Sequence, residues 1–334
     1  MTYPSAVLLT SRVALAGAAL LLSACRHSQS SSTAPSGAAS ERVQILALDS
    51  GVTATIVAPE HLDPRQRVEL ILYALPNGNT TAQTMGRALT AGMDWHYDIQ
   101  HIGAQTRALR ARGMSNAIVA YLEADTKSWP EWRRVRGYEN ANARIVAMVD
   151  RVRAALGNPS GMMVTLTGHS GGGSFFWGFI EGQPSLPDWL ERIAFLDANY
   201  SFEPRHGEKI AAWLRRSERN TLVVLAYDDR NIMLDGKRVI TDSTGGTWRA
   251  SQRMMDFFRP MFALTPGTLG EFVRYRGPQI EFLLHPNPAN RILHTEMIGE
   301  MNGYMHAMLA RRPDYESGES VLRPVRAYAR WIEP

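Results

Sequence analysis

The sequence of 334 residues contains a single cysteine, Cys25, so the chain cannot form an internal disulfide bond. Without a crosslink, an apolar core must stabilise the fold. Metal-binding patterns are also missing, because there is no H-E-x-x-H motif and no cluster of cysteine and histidine. The glycines do not have the spacing of a dinucleotide or P-loop motif. The sequence therefore predicts no metal site and no cofactor.

The sequence also lacks a large excess of either positive or negative charge. The chain has 36 Lys and Arg against 32 Asp and Glu, and no dense basic run with interleaved aromatic residues. Binding to nucleic acid is therefore not expected. At 45% hydrophobic and 20% charged residues, the composition is that of a globular protein, long enough for one large α/β domain.

The apolar run near the N-terminus, from Val13 to Leu22, is too short for a membrane-spanning helix. Its size and the preceding Arg12 are typical of a secretory signal peptide. The run ends in Leu22-Ser23-Ala24-Cys25, which resembles the lipobox of bacterial lipoproteins. This resemblance implies a signal peptide over residues 1–24 and acylation of Cys25 with fatty acids such as palmitate. A plain signal peptide with an incidental cysteine is the alternative.

The segment after the cysteine, residues 25–40, is rich in Ser, Ala, Pro and Gly. Such a composition cannot bury enough apolar surface to fold, and it predicts a flexible tether between lipid and domain. Arg26 follows the cysteine, and by the same resemblance its presence favours the periplasmic side of the outer membrane in the cell envelope. The folded domain is predicted over residues 41–334.

Strand and helix patterns alternate along this domain. The stretch "VQILALDSGVTATIVAP" predicts an antiparallel hairpin that turns at Asp49–Gly51. Continuous apolar runs predict buried strands in "VELILYALP", "NAIVAYLEA", "MMVTLTG", "RIAFLDANY", "TLVVLAYDD" and "QIEFLLH". Helices are expected over about 94–112, 140–156, 208–216, 250–258 and from about 303. This order indicates a mostly parallel sheet with helices on both faces.

One serine stands among four glycines, in Gly168-His169-Ser170-Gly171-Gly172-Gly173. The motif G-x-S-x-G between a strand and a helix forms a turn so sharp that its flanking positions meet neighbouring backbone. On this motif and on the order of strands and helices from about Glu41, the chain resembles the α/β-hydrolase superfamily. The resemblance implies an α/β-hydrolase fold with Ser170 as the nucleophile.

A nucleophilic serine needs a histidine base that is oriented by a carboxylate. In this superfamily the chain order is Ser, acid, His, which leaves His285, His294 and His306. His306 is the preferred base, because a loop that contains Gly303 enters the final helix there. His294 and His285 remain alternatives.

The preferred acid is Asp229, since "AYDDRNI" resembles the pattern that superfamily members carry after this strand. Asp197, which closes the preceding strand, and Asp228 are the alternatives. The oxyanion hole is expected from the backbone N–H of Gly171 and from the loop "LPNGNT", through Asn77 or Gly78.

Two segments are expected near the substrate. The stretch "DTKSWPEWRRVRG" is expected as a rim loop, whose tryptophans either contact substrate or pack into the core. An insertion after Asp229 contains a predicted hairpin at Asp235-Gly236.

Together these features predict a lipid-anchored serine hydrolase of the cell envelope that cleaves a carboxylic ester through an acyl-enzyme. Its substrate would be a small molecule or an ester or amide of the envelope. Amidase or peptidase action on the same triad is one alternative, and a non-catalytic binding lipoprotein with a hydrolase fold is another.

Overall fold

A ten-stranded sheet runs through the part of the chain that the computed structural model describes, residues 40–312, 315 and 320–334. The strands in chain order are β1 (Glu41–Asp49), β2 (Val52–Pro59), β3 (Glu69–Ala74), β4 (Ala117–Ala124), β5 (Met163–His169), β6 (Leu190–Leu196), β7 (Thr221–Tyr227), β8 (Met233–Leu234), β9 (Lys237–Arg238), β10 (Thr265–Leu269), β11 (Phe272–Arg276) and β12 (Ile280–His285). Strands β8 and β9 form a separate hairpin.

The helices are α1 (Thr81–Met85), α2 (Ile102–Arg110), α3 (Trp129–Arg136), α4 (Tyr138–Ala155), α5 (Gly173–Gly182), α6 (Pro204–Arg216), α7 (Thr247–Phe262) and α8 (Gly303–Leu309). Short 3₁₀ turns lie at Trp95–Asp98, Ser170–Gly172 and Ala329–Trp331. Among the described residues, no helix is both long and apolar enough to cross a membrane.

The strand order in the sheet is β1-β2-β4-β3-β5-β6-β7-β12-β11-β10. The central strands β4, β3, β5, β6, β7 and β12 pair in parallel. The strands at the two edges, β1 and β2 on one side and β11 and β10 on the other, pair antiparallel. The predicted N-terminal hairpin and the mostly parallel sheet are confirmed.

Alternate residues of the central strands face two different apolar layers. In β7, Leu222 and Val224 pack with the layer that includes α5 and α6, whereas Val223 and Leu225 pack with the layer that includes α2 and α8. Because both faces are covered, every residue of β6 and β7 is buried, which explains the apolar runs "IAFL" in β6 and "LVVLAY" in β7.

This topology, with the parallel strands flanked by helices on both faces and a serine turn after β5, is the α/β-hydrolase fold. The carboxyl ends of β3, β5, β6, β7 and β12 lie at one edge of the sheet, where loops can bring distant side chains together.

Two local expectations differ from the structure, and one edge of the sheet was not predicted. The expected helix over 94–112 is divided into a 3₁₀ turn and α2, because His101 between them adopts a left-handed conformation with φ of 51°. The expected rim loop "DTKSWPEWRRVRG" contains helix α3, and its Trp129 and Trp132 are buried in the core. The strands β10 and β11 extend the sheet at an edge that the sequence pattern did not mark. The Asp235-Gly236 hairpin is confirmed as the turn between β8 and β9.

Candidate active site

Ser170 lies on the turn that joins β5 to α5. Its φ is 54°, a left-handed conformation that non-glycine residues rarely adopt. The strand ends at His169, a single 3₁₀ turn follows over Ser170–Gly172, and α5 begins at Gly173. This geometry is that of a nucleophile elbow, in which a strained turn presents the serine hydroxyl above the sheet.

The glycines around Ser170 are required because the end of β3 lies against the turn. A Cβ at Gly168 or at Gly172 would collide with the backbone carbonyl oxygen of Ala74, the last residue of β3. A Cβ at Gly171 would collide with the side-chain amide of Asn77. Close contact between backbones therefore explains the glycine-rich sequence.

The histidine that the structure places beside this turn is His294, in the loop between β12 and α8. Its Nδ1 forms a short hydrogen bond with Oδ2 of Asp197, the residue that follows β6. Asp197 is 1% exposed and has a φ of 47°, so that the chain turns sharply at the end of the strand. A buried carboxylate on Nδ1 leaves Nε2 as the ring nitrogen available for proton transfer.

The residue before the serine fixes the position of this histidine. Nε2 of His169 lies 3.0 Å from the backbone carbonyl oxygen of His294, and the two rings are in contact, with centroids 4.3 Å apart. Burial and the neighbouring His294 hold the pKa of His169 well below its usual value. His169 is therefore neutral, and its ring N–H can donate to the His294 carbonyl.

The structure corrects the expectation for His306. This residue belongs to α8 and is 2% exposed, with Nε2 3.0 Å from Glu281 and Nδ1 2.9 Å from the Tyr315 hydroxyl. Glu281 lies near the start of β12, which is three strands away from β5. Both ring nitrogens of His306 are thus engaged far from the carboxyl ends of the strands.

The buried carboxylate of Glu281 explains why a histidine occupies position 306. Burial alone would raise its pKa, but hydrogen bonds from His306 and Arg274 hold that pKa at about 2. The pair of His306 and Glu281 stabilises the packing of α8 on the sheet.

The structure also corrects the expected pairing of Asp229 with the base. Asp229 forms no hydrogen bond with His294; its Oδ2 accepts a 2.8 Å hydrogen bond from the backbone N–H of Thr247, at the start of α7. The other two candidates have structural partners. Asp228 binds the guanidinium of Arg230 at 2.6 Å, and Nδ1 of His285 accepts from the backbone N–H of Asn287 at 3.0 Å.

Of the expected oxyanion residues, Gly171 and Asn77 lie together beside Ser170 in one cleft. Gly78 follows Asn77 in sequence, but its backbone N–H donates to the carbonyl oxygen of Lys127 at 2.8 Å. The N–H of Gly78 is therefore engaged and cannot serve an oxyanion in this conformation. Cys25, the expected lipidation site, lies outside the described residues.

The cleft at the elbow has a volume of about 420 Å³. Its lining residues are Asn77, Pro130, Arg133, Tyr138, Ser170, Gly171, Ser174, Trp177, Ala198, Tyr200 and Ser201. Most of them present hydroxyl, amide or guanidinium groups, and Pro130, Trp177 and Ala198 supply the apolar surface. Tyr200 and Ser170 line the same cleft.

Arg133 forms one wall of the cleft and is 5% exposed. Its guanidinium donates to the backbone oxygen of Ser174 at 2.9 Å and to Glu181 at 2.8 Å. Hydrogen bonds from His206 and Asn142, with the charge of Arg133, hold the pKa of Glu181 at about 2 against the opposing effect of burial. The charge of Arg133 is therefore balanced by an ionised carboxylate.

Several residues of this site carried no motif in the sequence. Tyr200 follows Asp197 by three positions, and Thr247 lies beyond a long insertion, so neither could be placed from spacing. The sequence did contain a signal for the role of His306. The strand "QIEFLLH" holds one glutamate, Glu281, and a buried glutamate requires a partner such as His306.

The fold and the site together define an α/β-hydrolase fold with an elbow serine and an adjacent pair of His294 and Asp197. The sequence matches no family model, and no curated protein matches it. Among solved structures, the chain is similar to a thermostable esterase, at 12% identity and a TM-score of 0.44, over 74% of this chain and 55% of that one.

It is also similar to LpqC, a poly(3-hydroxybutyrate) depolymerase from Bordetella parapertussis, at 13% identity and a TM-score of 0.45, over 88% of this chain and 94% of that one. A third similar structure is a puromycin-hydrolyzing peptidase from Mycobacterium tuberculosis, at 13% identity and a TM-score of 0.41, over 82% of this chain and 40% of that one. The chain thus spans about half the length of the thermostable esterase.

Proposed function

We propose that this protein is a serine hydrolase that cleaves a carboxylic ester through an acyl-enzyme intermediate. The observation that carries this proposal is the hydrogen bond between His294 and Asp197 beside a left-handed elbow serine. A nucleophile, a base and an orienting acid on three separate loops of one sheet edge are the minimum that acyl transfer requires.

In the first half of the reaction, Ser170 Oγ attacks the carbonyl carbon and Nε2 of His294 takes the hydroxyl proton. Asp197 holds the Nδ1–H of the ring and stabilises the imidazolium. As the tetrahedral intermediate collapses, His294 gives its proton to the leaving alcohol. Water then attacks the acyl-enzyme with His294 again as base, which releases the acid and restores Ser170.

The oxyanion of each intermediate would be stabilised beside Gly171. Its N–H lies at the start of the turn that leads into α5, where the backbone dipoles of the helix favour negative charge. The second donor is assigned to Asn77, which contacts Gly171 and lines the same cleft.

The lining of the cleft supports a compact, uncharged substrate that carries both apolar and polar groups. A volume of about 420 Å³ is at the small end of ligand pockets. Hydroxyls of Ser174, Ser201 and Tyr138 can bind polar groups, while the guanidinium of Arg133 is already balanced by Glu181.

For the location of the enzyme, we propose a lipid anchor at Cys25 that holds the domain on the periplasmic side of a bacterial outer membrane. The support for this proposal is the sequence Leu22-Ser23-Ala24-Cys25, followed by the polar segment over residues 25–40.

A fluorophosphonate probe tests the proposed activity, because it reacts only with an activated serine. We expect the wild-type protein and His306→Ala to be labelled, and Ser170→Ala and His294→Ala to remain unlabelled. Hydrolysis rates on a matched pair of p-nitrophenyl acetate and p-nitroacetanilide then compare ester with amide. A faster amide reaction would favour the amidase alternative. Failure of the wild-type protein to react with the probe would favour a binding protein.

A further inference from the structure

A single hydroxyl group lies between two buried carboxylates behind the candidate triad. Oγ1 of Thr247 forms a short hydrogen bond with Oδ1 of Asp197, and it lies 3.3 Å from Oδ2 of Asp229. Thr247 and Asp197 are each 1% exposed, and Asp229 is 4% exposed. No role in the reaction described above requires Thr247 or Asp229.

The hydrogen bonds of Asp229 are incomplete. Its Oδ2 accepts the backbone N–H of Thr247, which gives the first turn of α7 an acceptor. Its Oδ1 is buried and has no hydrogen-bond partner on another described residue. A fully ionised carboxylate in this position would leave one of its charged oxygens unsatisfied, which is costly in a buried site.

The hydroxyl of Thr247 has only one proton to donate. When that proton points to Asp197, the Thr247 oxygen can accept but not donate toward Asp229. A protonated Asp229 fits this arrangement, because it adds no second negative charge beside Asp197. An ionised Asp229 competes with Asp197 for the same proton.

We propose that Asp229 and Thr247 are positioning residues of the catalytic acid: the Thr247 hydroxyl orients Asp197 toward His294, and Asp229 sets how much negative charge lies behind that pair. This inference rests on the proposed hydrolase function and extends it to the pH range in which the enzyme works.

The electrostatic surroundings agree with this role. Burial, and next the charge of Asp197, raise the pKa of Asp229 to about 6, despite the opposing hydrogen bonds from Thr247. Asp229 therefore loses its proton to solvent between weakly acidic and neutral pH. Titratable and charged groups that act on it come from every neighbouring element: Asp197 after β6, Tyr200 in the same loop, Tyr227 at the end of β7 and the adjacent Arg230.

The sign of the effect on activity follows from the charges. A second carboxylate behind Asp197 favours the protonated, inactive imidazolium of His294. Removal of that charge by Asp229→Asn should therefore allow the base to work at lower pH. When two neighbouring side chains lie in a partly polar site, removing one charge shifts the midpoint of the other group's titration by about half a pH unit or more.

The experiment measures kcat and KM for p-nitrophenyl acetate from pH 5 to pH 9 with the full-length protein. We expect Asp229→Asn to move the midpoint of the acidic limb of kcat/KM downward by about half a pH unit or more, with a plateau within roughly tenfold of wild type. The matched control is Asp228→Asn, an adjacent carboxylate bound to Arg230, which should leave the midpoint unchanged.

The hydroxyl is tested by Thr247→Val and Thr247→Ser. Loss of a hydrogen bond to a charged group predicts a decrease in kcat of about 10- to 100-fold for Thr247→Val with little change in KM, and recovery in Thr247→Ser. Both variants keep the backbone N–H that binds Asp229, so the start of α7 is preserved. A thermal melt of each variant identifies loss of folding.

The outcomes separate the two proposals. If Ser170→Ala, His294→Ala and Asp197→Asn retain wild-type rates, the proposed hydrolase function is wrong. If these variants are inactive but Asp229→Asn has the wild-type midpoint, or Thr247→Val keeps the wild-type kcat, the positioning role is refuted. If Asp229→Asn is as inactive as Asp197→Asn at every pH, Asp229 is itself the catalytic acid, and the positioning role is again refuted.

Discussion

Nε2 of His169 lies 3.0 Å from the backbone carbonyl oxygen of His294, so the residue before the elbow serine holds the backbone of the candidate base. The serine and the histidine are therefore not positioned independently. They are linked by one partly buried hydrogen bond, in addition to the contact between the two rings.

The first prediction concerns this link. His169→Phe removes the N–H donor and leaves the carbonyl of His294 without its partner, so we expect kcat to decrease about tenfold with a small change in KM. In His169→Gln the side-chain amide can replace Nε2, and activity should recover in part. Steady-state kinetics on an activated ester measure both. Equal activity of His169→Phe and wild type would show that the hydrogen bond is dispensable.

The second prediction identifies the acid. Asp197→Asn keeps the shape of the side chain but favours the wrong tautomer of His294, and a loss of about 10⁴ in kcat is expected. Asp228→Asn should lose little, because its carboxylate binds Arg230 on the surface side of the strand end. The measurement is kcat at pH 8 for folded variants. A loss below tenfold for Asp197→Asn would contradict the assignment.

The third prediction separates stability from catalysis at His306. His306→Ala leaves Glu281 buried beside Arg274 but without its other partner, and the free energy of unfolding should decrease by about 3 kcal/mol. The kcat per folded molecule should remain near that of wild type. Urea unfolding and active-site titration with the fluorophosphonate give the two quantities. As a control, His96→Ala removes a more exposed ion pair and should change the unfolding midpoint little.

The fourth prediction is the pH dependence of stability at Asp229. Its pKa is raised from the usual 3.8 to about 6 in the folded state, so its ionisation destabilises the fold as pH increases through this range. Asp229→Asn avoids this cost, and its free energy of unfolding relative to wild type should rise between pH 4.5 and pH 8, by at most about 3 kcal/mol.

Urea titrations at the two pH values measure this difference for Asp229→Asn. In Asp228→Asn no such rise is expected, because Arg230 lowers the pKa of Asp228 although burial opposes it. A relative stability of Asp229→Asn that falls toward pH 8 would contradict the raised pKa.

The fifth prediction tests the anchor. Stable attachment to a membrane needs more than one lipid chain or a second signal, and an acylated Cys25 would carry the chains. Cys25→Ser should therefore move the protein from the membrane fraction to the soluble fraction, or block its processing. Fractionation followed by detergent extraction measures this. Unchanged partition and processing would rule out the lipobox.

The architecture could be predicted because the strands of the sheet centre are buried on both faces and carry continuous apolar runs, as in "IAFL" and "LVVLAY". The elbow could be predicted because backbone contact leaves glycine as the only residue that fits. The triad partners could not be assigned, since chain order leaves three histidines and three aspartates equivalent. What separates them is which loop reaches the carboxyl ends of β5 and β6, and this depends on packing between distant segments.

The contact between Ala74 and the glycines of the elbow limits how the sequence can vary. The group that a new side chain at Gly168 or Gly172 would meet is a backbone oxygen. No change of residue type at position 74 removes that oxygen, so a second-site suppressor of Gly168→Ala cannot arise there. Arg133, Tyr138 and Tyr200 line the cleft but are not part of the elbow, so substitutions at these positions can change substrate preference while the elbow stays the same.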